Sequence, residues 1–261
     1  MLLHNRTAII YGAGGAVGGA VAKAFAREGA RLFLAGRSAA PLARITADLA
    51  EAGHAAEFDI VDATDPDAVA RHLSSVIARA GRVRLMFNAI GWGGAQGETL
   101  TEMPFENLLD PVRTALTSWF HTGTILARHM GDSGGGTILG ISANAGREAY
   151  ARVGGFGIAC AAVEHFLRQL AVEEGPRGVR VCWVRSPGSP DAPGVREAWM
   201  LQARERGMSF DEIHREFARD TPLRRITGLA QVADAAVLLG SDLAAGMTAT
   251  MANATGGAQV D

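Results

Sequence analysis

The stretch of this sequence best suited to bind a charged ligand is "YGAGGAVG", residues 11–18. It lies between a short apolar run, 7–12, and a helix-like run that begins at residue 16. Backbone N–H groups at a helix N-terminus attract anions, and glycines let a pyrophosphate approach the backbone. The alternative is a purely structural turn between strand and helix. The context favours a dinucleotide site formed by Gly12, Gly14, Gly15, Val17 and Gly18.

The end of the next apolar run, 31–36, indicates which dinucleotide is bound. Arg37 and Ser38 follow this run, at the place where an acidic residue would bind the ribose hydroxyls of NAD. An arginine there suits the 2′-phosphate of NADP, because a guanidinium presents a fork of donors to a phosphate. The alternative is an arginine on a solvated loop. We predict NADP as the cofactor in preference to NAD.

The elements that must position these residues alternate along the chain. Strand-like and helix-like runs follow one another to about residue 190, and the strand-like runs are almost continuously apolar. This pattern predicts an α/β fold over 1–261: one Rossmann-type doubly wound parallel sheet of about seven strands with helices on both faces. A long helix over 105–130 is expected to break near Pro111. Beyond Pro187, short helical runs at 194–205 and 210–218 predict a substrate lid over about 188–220.

Several motifs in order resemble the short-chain dehydrogenase/reductase family along nearly the whole chain. The glycine loop keeps Gly12 and Gly18, with Tyr11 and Ala16 departing from the family pattern. "VDATDPDAV", "FNAIG" and "RSPGS" resemble the family's later cofactor motifs. The resemblance implies cofactor contacts from these motifs as well, at Asp62, Ala63, Asn88, Gly91, Pro187 and Gly188.

The same resemblance locates the catalytic residues of the family and shows other residue types there. The family uses a serine, a tyrosine, a lysine four residues later and an asparagine on the long helix. By family spacing these positions hold Ala143, Phe156, Cys160 and Ala115. Ser142 is adjacent to the serine position, and the chain's single lysine, Lys23, lies on the first helix. General acid–base groups contribute about 10²–10⁴-fold to rate, so the family's usual proton transfer is not expected here.

Two hydroxyl groups remain as candidates to handle a proton. Tyr150 lies in the loop between the fifth strand and the next helix, which by analogy with the family borders the substrate. Ser142 is the second candidate catalytic residue. For each one the alternative is a residue without a chemical role. Helical spacing indicates that the former catalytic face has become packing, along the apolar stripe Phe156, Cys160, Val163, Leu167 and Leu170.

These residues support an NADP(H)-dependent oxidoreductase with non-standard proton handling. Its expected substrate is small and apolar, with an activated C=C, C=N or C=O bond, because such substrates depend less on a tyrosine. A second hypothesis is a redox-inactive protein of the same fold that acts as an isomerase, cyclase or dehydratase. A third is a non-catalytic subunit of an oligomer. Trp92, Trp199, Met200 and Phe210 indicate an apolar pocket under the lid, which disfavours the third hypothesis. The alternative is that these four residues belong to the core.

The charge and cysteine content of the sequence limit the classes of partner and ligand that we expect. The formal net charge is −2 and neither terminus carries a basic run, so neither nucleic acid nor a membrane surface is expected as a partner. Cys160 and Cys182 have no metal-ligand spacing, so no metal site is predicted and both are expected to be buried free thiols of a cytoplasmic protein. The resemblance implies a homo-oligomer, a dimer or tetramer, because members of the family pair through the helix that spans 156–173 here. Small residues on this helix are compatible with close helix packing, at Gly157, Ala159, Ala161 and Ala162.

Overall fold

Seven parallel strands form one sheet at the centre of the computed structural model, which describes residues 1–260. The strand order is β3-β2-β1-β4-β5-β6-β7, and every neighbouring pair is parallel. This confirms the fold class predicted from the apolar runs. The strands are β1 (Thr7–Tyr11), β2 (Arg31–Gly36), β3 (Ala56–Ile60), β4 (Leu85–Asn88), β5 (Gly136–Ala143), β6 (Val179–Ser186) and β7 (Thr250–Asn253).

Helices cover both faces of the sheet, because the connections between parallel strands cross over one face or the other. One apolar core joins the sheet to α3, α4 and α5, and the other joins it to α1, α2 and α8. No helix among the described residues is long and apolar enough to cross a membrane. The helices are α1 (Ala16–Arg27), α2 (Ala39–Glu51), α3 (Pro66–Ala80), α4 (Phe105–Asp132), α5 (Phe156–Glu174), α6 (Pro193–Glu205), α7 (Phe210–Arg219) and α8 (Leu229–Gly240).

The break predicted near Pro111 is wrong, since α4 runs without interruption from Phe105 to Asp132. Proline removes one backbone donor and strains the preceding turn. Here the ring packs against two glycines: a Cβ added to Gly94 would lie 3.0 Å from it, and one added to Gly155 would lie 2.8 Å from it. This packing, which joins segments distant in sequence, offsets the local cost of proline.

The strand order reverses between β1 and β4, and this reversal creates the site. The chain leaves β1 toward β2 on one side and leaves β4 toward β5 on the other. The two loops therefore diverge at the carboxyl ends of these strands and open a crevice. β4 ends at Asn88, earlier than the apolar run 82–91 predicts, because residues 89–91 already turn into this crevice.

Candidate active site

The turn after β1 has the geometry that an anion needs. Gly12 has φ +75°, and a Cβ there would lie 2.6 Å from the carbonyl of Ala89. A Cβ on Gly18 would lie 2.3 Å from the carbonyl oxygen of Gly12. α1 begins directly after Gly15 with no side-chain cap, so N–H groups of its first turn remain free to donate. The turn therefore keeps backbone donors exposed that a larger residue would block.

A cleft of about 200 Å³ opens beside this turn. It lies at the reversal point between β1 and β4, where ligands of open α/β sheets bind. The structure brings part of the predicted cofactor set together in its lining: Gly12, Gly15, Arg37, Asp62, Ala63 and Gly91.

Other residues of that predicted set do not line this cleft. Gly14 instead lies against Pro41, since a Cβ on Gly14 would sit 2.8 Å from the proline ring. Asn88 is buried, where its amide nitrogen donates to Thr122 Oγ1 (3.0 Å) and its amide oxygen accepts from the Ile90 N–H (2.9 Å). Asn88 thus shapes the loop after β4. Direct cofactor contacts stay predictions for Val17, Gly18, Ser38, Pro187 and Gly188.

Arg37 and Asp62 are the two charged residues that line the cleft. Asp62 Oδ1 accepts from both the hydroxyl and the backbone N–H of Thr64, at 2.7 and 2.9 Å. These bonds, with the nearby Arg37 charge, lower the pKa of the Asp62 carboxyl against a smaller effect of burial. Arg37 is exposed and makes no hydrogen bond or ion pair with residues 1–260. Its donors are thus available to a ligand.

The cleft is also lined by residues that were not predicted as cofactor contacts. Thr114 and Ser118 line it from α4, four residues apart and therefore on one helix face. Tyr11 lines it from the end of β1, with its hydroxyl 3.2 Å from His72 Nδ1. Burial lowers the pKa of His72 to about 4, so this partner is neutral at neutral pH. The helical spacing on α4 was the one signal in the sequence that could have revealed part of this set.

Side chains at the predicted tetrad positions belong to the apolar core. Ala115 and Cys160 are fully buried, and Phe156 and Ala143 pack against the same cluster. Burial raises the pKa of the Cys160 thiol to about 11, so it holds its proton at neutral pH. The stripe that includes Val163, Leu167 and Leu170 is buried as well. Both the packing role of this face and the buried free thiols are confirmed.

Ser142 takes part in a buried polar network that the motifs also did not indicate. Its hydroxyl donates to Glu164 Oε1 at 2.8 Å. Arg185 Nη2 donates to both oxygens of that carboxylate, at 3.0 and 2.8 Å. Glu164 and Arg185 are each only 3% exposed. A glutamate next to the apolar stripe of α5 and an arginine within the apolar run of β6 were the available signals.

Tyr150, the other candidate donor, is in a different environment. Its side chain is about half-exposed, and its hydroxyl donates to Glu148 Oε2 at 2.5 Å. Burial and the Glu148 charge raise the pKa of Tyr150 to about 12, which makes it a weaker acid than usual. Tyr150 does not line the cleft of about 200 Å³. The structure therefore brings Ser142, rather than Tyr150, into a buried proton-bearing network.

The predicted lid corresponds to α6 and α7, which pack on each other. Trp199 and Phe217 meet edge to face, with ring centroids 4.8 Å apart. The Arg196 guanidinium lies 4.1 Å from the centroid of the Phe210 ring. In this segment Ala203 and Ile213 are the helical residues that are fully buried. The lid role of the segment stays a prediction.

These features define a Rossmann-type α/β protein with a glycine-lined cleft at the strand reversal. The family model described as enoyl-(acyl carrier protein) reductase matches residues 12–259. The chain therefore belongs to this family, which places it among the short-chain dehydrogenase/reductase oxidoreductases.

Related proteins cover nearly the whole chain. It is 29% identical to an uncharacterized oxidoreductase of Mycobacterium tuberculosis, over 98% of this chain and 92% of the relative. It is 26% identical to the 7alpha-hydroxysteroid dehydrogenase of Escherichia coli, over 98% of this chain and 94% of that enzyme. It is 28% identical to a granaticin polyketide synthase putative ketoacyl reductase of Streptomyces violaceoruber, over 96% and 92% of the two chains.

Solved structures share the fold at lower identity. A xylitol dehydrogenase bound to NAD⁺ superposes with a TM-score of 0.90 at 22% identity, over 98% of this chain and all of the other. An actinorhodin polyketide ketoreductase variant with NADPH superposes with a TM-score of 0.88 at 24% identity, over 99% of each chain. These two structures of the same fold contain different nicotinamide dinucleotides.

Proposed function

We propose that this protein is an NADP(H)-dependent oxidoreductase that acts on a small, largely apolar carbonyl, alcohol, imine or activated alkene. The observation that carries the proposal is Arg37. It is exposed, lines the cleft and has no hydrogen-bond partner within residues 1–260. A guanidinium so placed matches a 2′-phosphate.

The residues present fit a nicotinamide dinucleotide. The turn at Gly12 and Gly15 with the start of α1 would hold the pyrophosphate through backbone N–H groups. Asp62 and Ala63 would border the adenine, and Arg37 would hold the 2′-phosphate. The bound cofactor supplies the hydride. The chain's own residues then orient the substrate, exclude water and move the accompanying proton.

We further propose that proton handling differs from the family's usual pattern. Phe156 carries no exchangeable side-chain proton, and the Cys160 thiol is buried with a pKa raised to about 11. Neither can replace a tyrosine–lysine pair, in which the cation lowers the tyrosine pKa. The candidate that we propose in their place is Ser142, whose hydroxyl donates to the buried Glu164 carboxylate at 2.8 Å.

The test is a titration followed by a turnover screen. Nicotinamide fluorescence would measure the binding of NADPH and of NADH to the purified protein. Turnover would then be screened on a 7α-hydroxy steroid, a β-ketoacyl thioester, an enoyl thioester and a cyclic imine. The first three compounds follow from the relatives and the family model. Saturable NADPH binding with turnover of any compound supports the proposal, and no binding of either dinucleotide refutes it.

One observation favours the alternative of a redox-inactive protein of the same fold. The face that carries the tetrad positions is filled by core side chains, with the Trp92 indole beside the Cys160 thiol. Under this alternative the protein binds NADPH but neither reduces nor oxidises any compound of the screen. An isomerase, a cyclase, a dehydratase or an oligomer subunit would all give that result, and product analysis without added cofactor separates the enzymes from the subunit.

We also propose that the protein is a cytoplasmic homo-oligomer that pairs through α4 and α5. Phe120 on α4 is 55% exposed and Ile158 on α5 is 47% exposed, and the Phe120 ring centroid lies 6.4 Å from that of Phe166. An exposed aromatic side chain such as Phe120, where α4 packs against α5, is typical of a protein–protein interface. Sedimentation should show an oligomer for the wild type and a monomer for Phe120→Glu. A monomeric wild type would contradict the proposal.

A further inference from the structure

We propose that Thr122, a buried residue of α4, is a positioning residue for the dinucleotide. It would act through Asn88 on the loop after β4, which lies against the glycine turn of the cleft. The proposal rests on the proposed NADP(H)-dependent function and names a residue that sets the affinity of that site from outside its lining.

The loop after β4 is in direct contact with the turn that would hold the pyrophosphate. A Cβ added to Gly12 would lie 2.6 Å from the carbonyl carbon and oxygen of Ala89 and 2.8 Å from the backbone nitrogen of Ile90. Ala89, Ile90 and Gly91 also line the cleft together with Gly12. A shift of this loop would therefore move the turn or narrow the cleft.

Asn88 holds the loop at the point where the hydrogen bonds of the sheet end. The Ala89 N–H donates to the carbonyl oxygen of Tyr11 at 2.9 Å, which continues the ladder between β4 and β1. The next N–H along the chain, that of Ile90, donates instead to the side-chain Oδ1 of Asn88 at 2.9 Å. One side-chain oxygen therefore fixes the path of the backbone as it enters the cleft.

Thr122 fixes the orientation of the Asn88 amide. Asn88 Nδ2 donates to Thr122 Oγ1 at 3.0 Å, and the Thr122 hydroxyl donates to the carbonyl oxygen of Ser118 at 2.7 Å. A hydroxyl has one proton to donate, so Thr122 Oγ1 accepts from the amide. The amide nitrogen must therefore face Thr122, which leaves the amide oxygen to face the Ile90 N–H.

The network is buried and α4 is held firmly above it. Asn88, Ser118 and Thr122 are each 1% exposed or less, so water does not replace a lost partner. Trp119 of α4 is fully buried, and a Cβ on Gly140 of β5 would lie 2.2 Å from its ring. Gly140 is the neighbour of Asn88 in the pairing of β4 with β5. The tryptophan thus holds α4 on the sheet where Thr122 meets Asn88.

A second threonine of α4 shows what a bond within the helix alone looks like. The Thr124 hydroxyl donates to the carbonyl oxygen of Phe120 at 2.5 Å and makes no other hydrogen bond within residues 1–260. Thr122 makes the corresponding bond to Ser118 and in addition accepts from Asn88. Removal of the Thr122 hydroxyl therefore releases the loop, whereas removal of the Thr124 hydroxyl does not.

The experiment measures the affinity for NADPH and NADH by fluorescence titration. Thr122→Val keeps the shape of the side chain without its hydroxyl, Thr122→Ser keeps the hydroxyl, and Thr124→Val is the matched control. We expect both dissociation constants to rise about tenfold in Thr122→Val, because one buried hydrogen bond contributes about that factor and the loop must be reordered for binding. Thr122→Ser and Thr124→Val should stay within about twofold of the wild type.

Hydrogen exchange at single residues separates positioning from a purely structural role. In the cofactor-free wild type the Ile90 amide should exchange more slowly than the Gly93 amide, which makes no hydrogen bond within residues 1–260. The protection of Ile90 should fall about tenfold in Thr122→Val and stay unchanged in Thr124→Val. A residue that only stabilised the fold would lower the free energy of unfolding and leave the dissociation constants unchanged.

The outcomes that would overturn this role differ from those that would overturn the proposed function. If Thr122→Val binds both dinucleotides within about twofold of the wild type, the positioning role is refuted and the function stands. A loss confined to NADPH, or an equal loss in Thr124→Val, refutes it as well, because the pyrophosphate is common to both dinucleotides.

Two further results are decided by hydrogen exchange. If Thr122→Val does not fold, exchange of the wild-type Ile90 amide as fast as that of Gly93 refutes the role. If the wild type binds neither dinucleotide, the proposed function fails, and unchanged protection of Ile90 in Thr122→Val shows that Thr122 does not position the loop either.

Discussion

Replacement of Arg37 by alanine tests how the cofactor is chosen. The guanidinium is exposed and makes no hydrogen bond or ion pair with residues 1–260. Its removal should therefore leave the fold and the free protein's stability nearly unchanged. Surface substitutions of this kind typically change stability by less than about 0.5 kcal/mol. Any loss of affinity then reports the contact with the ligand.

The size of the loss follows from the bonds that Arg37 would make. Hydrogen bonds to a charged group contribute about 1.5–3 kcal/mol. Arg37→Ala should thus weaken NADPH binding by about 10- to 150-fold, since 1.4 kcal/mol corresponds to about tenfold. NADH lacks the 2′-phosphate, so its affinity should change by less than about twofold. The variant should also lose the Arg37 contribution that lowers the pKa of Asp62.

The assay is a fluorescence titration of both dinucleotides at two salt concentrations. Exposed charge pairs are screened by salt, so the NADPH advantage of the wild type should narrow as ionic strength rises. Arg44→Ala is the matched control, because Arg44 is an exposed arginine on α2 outside the cleft lining. Equal loss for NADPH and NADH, no loss for either, or the same loss in Arg44→Ala would refute the assignment of Arg37.

Three further predictions concern other parts of the structure. Gly12→Ala should abolish binding of both dinucleotides, because the added Cβ would lie 2.6 Å from backbone atoms of Ala89. The control is Gly53→Ala, which also has a positive φ but would place its Cβ with nothing within 4 Å, and this variant should bind normally in the same titration. The free energy of unfolding of the wild type, measured with urea, should fall by roughly 2 kcal/mol from pH 7 to pH 5. The reason is that His72 gains a proton in the unfolded chain over this range but not in the folded chain, where its pKa is about 4. A loss of the same size in His72→Gln would contradict this. Phe156→Tyr should raise kcat by less than about tenfold, because the neutral thiol of Cys160 supplies no cation to lower the tyrosine pKa; a larger gain would show that the family's proton transfer still operates.

Local patterns predicted the parts of the fold that depend on neighbouring residues. The apolar runs separated by helical periods were enough to predict a parallel sheet with two helical layers, and the glycines at 12 and 15 were enough to place the cleft. These features follow from backbone geometry and burial, which a short window of sequence contains. Pro111 was the exception in α4, because its ring packs on glycines from distant loops.

The candidate site was only partly predictable because its polar contacts join distant segments. Glu164 and Arg185 are 21 residues apart and pair only when α5 lies across β6. Tyr11 and His72 are 61 residues apart and meet only through the packing of α3 on the sheet. Tyr150 was expected to be the main proton donor, yet its hydroxyl pairs with Glu148 on its own loop. Residue type suggested such a role for Tyr150, whereas the local conformation of the loop decides its partner.

The titration of the wild-type protein with NADPH, followed by turnover of the four screened compounds, tests the proposed oxidoreductase function most directly. We expect saturable binding of NADPH, weaker binding of NADH, and turnover of at least one compound, by oxidation with NADP⁺ for the hydroxy steroid or by reduction with NADPH for the other three. Absence of binding to either dinucleotide, or binding with no turnover of any compound, would contradict the proposed function.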